Sequence, residues 1–198
     1  MAKDVKPKQE LTGISKRQID EHFDVLYQGY VKKANEIGKR LTETDLEGAN
    51  ATYHPLRELK REELFAVDSM RLHEWYFENL GAGSPFGGPI QELIEEDYKS
   101  YDDWAAIFKA VGMCARGWTV LAFDWQDRKL HTYMTDVHHE GMWQASPLLV
   151  LDCYEHAYMI DYGTARAKYI DAFMQNINWD AVNARLSRIR ALETRKAA

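Results

Sequence analysis

The sequence predicts an α+β fold: a long N-terminal α-hairpin, then an α/β domain built on a three-stranded antiparallel sheet. Three features carry this. Two stretches, from Ser15 to about Thr42 and from about Lys60 to Leu80, repeat apolar residues at three- and four-residue steps. The chain's Gly/Pro cluster, Gly81 to Pro89, follows them. Beyond it, Trp118–Trp125, Lys129–Thr135 and Pro147–Leu151 are short runs of strand formers. The boundary falls at 85/86, giving an N-terminal helical hairpin domain over 1–85 and a C-terminal α/β domain over 86–198.

At 198 residues, 45% hydrophobic and 28% charged, the chain has enough apolar material for a sizeable core. Its net charge of −6 and the lack of a basic patch argue against a nucleic-acid partner. No apolar run approaches the ~20 residues of a membrane span, and the first residues carry no secretory h-region. Two cysteines, Cys114 and Cys153, are too few for a disulfide framework and read as buried small residues of a cytoplasmic protein.

In chain order, residues 1–13 are polar and without period, a loose tail or an extended arm. Ser15 with Gln18 three residues on is a capping box. The helix it starts has one stripe through Ile19, His22/Phe23, Leu26, Tyr30 and Ala34/Ile37, with Gly29 as a weak point. Gly48, Asn50 and Pro55 break the chain before the second helix, whose apolar residues include Leu64, Val67, Leu72, Trp75, Tyr76 and Leu80. Pro89 opens another helix, and Ser100–Met113 a further one with Trp104, Ile107 and Phe108 inward. After the third strand the chain is helical: a short piece to Tyr162, then Thr164–Gln175, then Trp179 onward. The last ends in a charged stretch, Arg185–Lys196, that reads as a solvated surface helix.

The chemistry concentrates where that third strand ends, at Asp152-Cys153-Tyr154-Glu155-His156. A carboxylate at the mouth of a buried strand and an imidazole four residues on either satisfy each other or share a third partner. His22 on the stripe of the first helix and His73 in the second each read singly as core histidines. Together with Asp152 and His156 they make three imidazoles and a carboxylate, a set suited to Fe, Mn or Zn with room for a solvent ligand. Spacing alone does not bring the four together. His138 and His139 fall in a loop, while His54 and His131 read as structural or surface residues.

Asp152-Cys-Tyr-Glu-His-Ala-Tyr158 resembles the D-x-W-E-H-A-Y signature of the iron/manganese superoxide dismutases. Arg166-Ala-Lys-Tyr169-Ile170-Asp-Ala-Phe173 with Ile177-Asn178-Trp179 is similar to that family's C-terminal helices, and Gly117-Trp118 to its first strand. Ile14 to Val31 and Leu72 to Leu80 resemble its two N-terminal helices, so the likeness spans roughly 14–182. The resemblance implies one Fe or Mn ion per subunit on His22, His73, Asp152 and His156, with a bound water or hydroxide. It implies disproportionation of superoxide to O2 and H2O2, with Tyr30 as gateway tyrosine and Trp118 lining the site. Arg166 would stand near the substrate funnel. Glu155 would reach the partner's metal-site histidine in a homodimer or homotetramer.

This chain departs from the family pattern at several positions. Where the family places a Gln to hydrogen-bond the solvent ligand, His138 (or, one residue on, His139) stands in one site and Ser69 in the other. A donor from the strand-connecting loop suggests manganese, and an imidazole in place of an amide suggests a pH dependence near ~6–7. Tyr154 and Phe77 replace tryptophans, and Leu26 and Met159 replace an interface His–Tyr pair. The competing readings are a non-catalytic metal-binding or interaction module on the same fold, and an oxygen-using non-haem iron enzyme. The first should have lost ligands, and the second needs two open metal positions.

Overall fold

The computed structural model describes residues 2–81 and 85–196. Ser15 caps the first helix, its Oγ accepting from the Gln18 N–H at 3.0 Å. The return bond of a capping box does not form. The Gln18 amide instead donates to His156 O at 2.7 Å and accepts from Ile160 N at 3.2 Å, while Ser15 N donates to Asp161 Oδ2 at 2.7 Å. Tertiary partners have taken both ends of the return bond, while the Ser15 cap stays.

The expected single α-helix is three segments: α1 (Lys16–Asp20), a π-helical stretch (Glu21–Tyr27) and α2 (Gln28–Glu43). Gln28 N–H reaches back five residues to Phe23 O. Such winding puts residues five apart on one face, so His22 and Tyr27 are both fully buried while Leu26, expected on the stripe, is only half-buried. An α-period reading shifts by one residue there.

α3 (Pro55–Glu78) begins earlier than the sequence suggests. Pro55, expected as a breaker, is its first residue, where a missing N–H costs nothing. His54 caps it, Nδ1 accepting from Leu56 N at 3.2 Å and Nε2 meeting Glu47 O at 3.0 Å. α2 packs on α3. Part of the Gly81–Pro89 cluster, residues 82–84, lies outside the described residues. α4 (Pro89–Tyr98) and α5 (Tyr101–Cys114) follow, the latter capped by Ser100. α5 buries Trp104, Ala105, Phe108 and Gly112; Ile107 lies on the flank of that line, 45% exposed, against expectation. Cys114 is likewise exposed, because α5 ends there; only Cys153 is buried.

The sheet is antiparallel in the order β2-β1-β3, with β1 Trp118–Asp124, β2 Leu130–Thr135 and β3 Ala145–Asp152. Every residue of the central β1 is buried. Its register sets Trp118 opposite both Thr135 and Asp152, so one row of the sheet delivers an indole, a carboxylate and the start of the His138 loop. Gly117 permits the close approach: a Cβ there would lie 2.8 Å from Thr135 O.

After a 3₁₀ turn (Glu155–Ala157) come α6 (Met159–Tyr162), α7 (Arg166–Gln175) and α8 (Trp179–Lys196). The charged stretch from Arg185 is not a solvated surface over its first turns, where Arg185, Leu186 and Ile189 are buried. Val182 is buried as well. The Arg185 guanidinium donates to Asn79 Oδ1, Leu148 O, Trp75 O and Glu78 Oε2, tying the end of α3 and β3 to α8. No helix among the described residues is long and apolar enough to cross a membrane.

Candidate metal centre

The π-helical stretch supplies His22, α3 supplies His73, the end of β3 supplies Asp152 and the following 3₁₀ turn supplies His156. One ligand atom from each lies within 4.8 Å of all the others. His22, His73 and Asp152 are fully buried, and His156 keeps a quarter of its side chain exposed. Asp152 Oδ1 accepts from Tyr154 N at 2.9 Å, which turns Oδ2 inward. Around Oδ2 stand His22 Nε2 at 3.1 Å, His156 Nε2 at 3.1 Å and His73 Nε2 at 3.5 Å.

Two of those nitrogens, His22 Nε2 and His73 Nε2, are buried without a hydrogen bond, near though they are to a carboxylate. Buried polar atoms are normally paired, so converging lone pairs around one oxygen fit a cation. The His73 tautomer is settled by its neighbour: Nδ1 lies 2.6 Å from Ser69 O, a carbonyl that only accepts, so the proton is on Nδ1 and the Nε2 lone pair faces the centre. Burial holds the His22 pKa below the ordinary imidazole value and the His73 pKa well below it, the neutral form a metal requires. Burial alone would raise the Asp152 carboxyl; His156 and His22 outweigh it and keep the group well below the usual range. Burial opposes the charged form of His156, but Asp152 raises its pKa.

Aromatic rings close the site. Phe77 and Tyr76 lie 4.9 and 5.1 Å from the His22 ring, Trp118 meets His73 edge-on at 5.0 Å, and Tyr154 stacks on His156 at 5.2 Å. Of the two loop histidines, His138 is 2% exposed and turned inward, while His139 is exposed. Trp118 Nε1–H donates to His138 Nδ1 at 3.0 Å. Nδ1 is therefore unprotonated and Nε2 carries the hydrogen, which points to Tyr30 Oη at 3.2 Å. Tyr30, with its ring 5.2 Å from His73, is left with its own proton free to donate. Burial brings His138 down to about 4 and raises Tyr30, so both stay in these forms near neutral pH. His138 therefore does not carry the ordinary imidazole value on which a pH dependence near 6–7 was expected.

Ser69 takes no part through its hydroxyl, which donates to Phe65 O at 2.6 Å; its carbonyl is what orients His73. Arg166 binds Tyr158 Oη at 3.1 Å and Ala115 O at 2.7 Å. Sequence reasoning missed Gln18, whose amide grips the His156 turn from α1. It also missed a buried pair behind Asp152. Tyr169 Oη donates to Asp152 O at 2.8 Å and, its one proton so used, accepts from Tyr76 Oη at 3.1 Å. Neither carries a local signal: a tyrosine or glutamine at helical spacing reads as ordinary packing.

Comparison with known proteins gives one family. Residues 86–185 match the model of the C-terminal domain of the iron/manganese superoxide dismutases. The chain is 40% identical over 181 residues to an iron superoxide dismutase of Cupriavidus metallidurans, covering 90% of this chain and 91% of that one. To the iron superoxide dismutase of Aquifex pyrophilus it is 42% identical over 196 residues, 95% and 92% of the two chains. A manganese superoxide dismutase of Haloarcula marismortui is 32% identical over 180 residues, 84% and 82%.

Proposed function

The chain belongs to the iron/manganese superoxide dismutases, and from that premise we propose that His22, His73, Asp152 and His156 hold one Fe or Mn ion, completed by a water or hydroxide. The observation that carries this ligand set is the pair of buried, unbonded imidazole nitrogens facing Asp152 Oδ2. A bound iron or manganese ion supplies the one-electron exchange by which one superoxide is oxidised to O2 and a second is reduced to H2O2. Three neutral imidazoles and one carboxylate leave the filled site positive, which draws a small anion. The rings of Phe77, Tyr76, Trp118 and Tyr154 exclude bulk water.

Product formation needs protons, and we assign their delivery to Tyr30. The chain Trp118 Nε1–H to His138 Nδ1, then His138 Nε2–H to Tyr30 Oη, fixes the direction of every hydrogen. It leaves the Tyr30 proton aimed away from His138. His138 thus accepts on one side and donates on the other, and with both ring nitrogens taken by Trp118 and Tyr30 it acts on the centre through Tyr30.

We further infer an assembly of at least two copies through the His156 edge. Glu155 is exposed and without an ion pair among the described residues, and Met159 and Ile160, which follow it in the chain, are 42% and 43% exposed. The position of His138 in the strand-connecting loop favours manganese, whereas the higher identity to the two iron enzymes favours iron.

Elemental analysis of native protein, with superoxide consumption after reconstitution with each metal, tests the reading. One ion per chain and dismutation with at least one metal are expected. Asp152→Asn keeps the shape of the side chain but loses its charge, and should lose bound metal at least tenfold more readily. Full metal retention in that variant would overturn the ligand set.

A further inference from the structure

The N-terminal arm is fastened along the irregular turns of the first helix. π-helical winding is rare and needs support from its surroundings; here it carries His22. Lys6 Nζ stands 2.7 Å from Asp20 Oδ1, at the start of that stretch, and 2.5 Å from Asp24 Oδ2 within it. It also lies over the Phe23 ring, 5.8 Å from its centroid. Lys3 holds the other end. Its backbone N–H donates to Tyr27 Oη at 2.9 Å, and its Nζ lies 2.7 Å from Glu74 Oε2. Tyr27 in turn donates to Glu74 Oε1 at 3.1 Å. Tyr27 is the last residue of the π-helical stretch, and Glu74 directly follows His73. Glu74 is 4% exposed and Tyr27 is fully buried, so both carboxylate oxygens are spent on this pair of partners inside the protein.

We propose that Lys3, Tyr27 and Glu74 are positioning residues of the metal centre. They clamp the end of the π-helical stretch to α3, while Lys6 braces its start on Asp20 and Asp24, and so fix His22 relative to His73; this rests on the reading of those two histidines as metal ligands. Without Lys3, Glu74 Oε2 is left buried with no partner in place of the ammonium 2.7 Å away, a strongly disfavoured state. Its relief is for water to enter between the π-helical stretch and α3, and His22 moves with that stretch. Lys3 is itself half exposed on the arm, so replacing it leaves the core packing intact.

The test uses the full chain, metal-loaded, as wild type, Lys3→Met, Lys3→Arg and the double variant Lys3→Met/Glu74→Gln. The rate of metal loss to a chelator and the optical and electron-paramagnetic spectra of the bound ion are measured, with the Tm of the metal-free proteins alongside. Lys3→Met should lose metal roughly tenfold faster and show an altered spectrum, the size expected for one buried polar group left unpaired. Lys3→Arg should behave as wild type, and the double variant, which removes the charge together with its cation, should recover most of the loss. An unchanged rate and spectrum in Lys3→Met, or changes that only track the metal-free Tm, would overturn the positioning role. A wild type that takes up no ion would instead overturn the metal-site reading beneath it.

Discussion

Tyr30 and His138 show how much one proton's position decides. Trp118 can only donate, so His138 accepts on Nδ1, donates from Nε2 and leaves the Tyr30 hydroxyl hydrogen free to donate elsewhere. Tyr30→Phe removes that hydrogen and should lower kcat about tenfold to a hundredfold while metal content stays at wild-type level. His138→Gln keeps a donor and an acceptor but not the titration. The His138 pKa is depressed from 6.5 to about 4 in the folded state, so between those values the unfolded chain binds more protons than the native one. Its contribution to stability is therefore whole above about pH 6.5 and is lost as pH falls toward 4. Thermal melts from pH 7 to 4 should fall less steeply for His138→Gln than for wild type; parallel slopes would remove His138 as the cause.

At the scale of elements, the site depends on how α1, the 3₁₀ turn and the sheet meet. Gln18 on α1 holds the His156 carbonyl and the Ile160 N–H with one amide. Gln18→Leu strands both backbone groups and should cost about 1–3 kcal/mol, read by denaturant unfolding, with weaker metal retention. Ser100→Ala, which strips a simple N-cap far from the site, should cost about 1 kcal/mol and leave metal retention unchanged. The elements themselves were legible. Strand positions and the starts of α4, α5 and α8 follow from local chemistry the sequence displays. The π-helical stretch was not, because its contacts with the arm and α3 and the shared burial of His22 and Tyr27 involve partners distant in the chain. The capping box was half right for a similar reason: Ser15 caps, but Gln18 is claimed by partners more than a hundred residues away.

At the scale of the molecule, Arg185 joins the end of α3 to β3 and α8. Arg185→Met leaves several carbonyls and the Glu78 carboxylate without their donor and should destabilise by about 3–5 kcal/mol, measured by chemical denaturation. Assembly belongs at this scale too. If the His156 edge meets a second copy, Glu155→Arg places a cation where a carboxylate faces the partner. Sedimentation should then show a lower oligomeric mass at the same concentration, and unaltered mass would point the interface elsewhere.

The sequence by itself determined the identities and the elements: which residues can ligate, which helices and strands carry them, and the motif Asp152–Tyr158 that resembles one family. These follow from local spacing and side-chain chemistry. The tertiary structure alone decided convergence. It selected His138 over His139, turned the Ser69 hydroxyl away, buried Arg185 and drew an apparently loose arm onto the π-helical stretch. Each of these depends on partners distant in the chain, whose positions are set only when the sheet register and the helix pair are formed together.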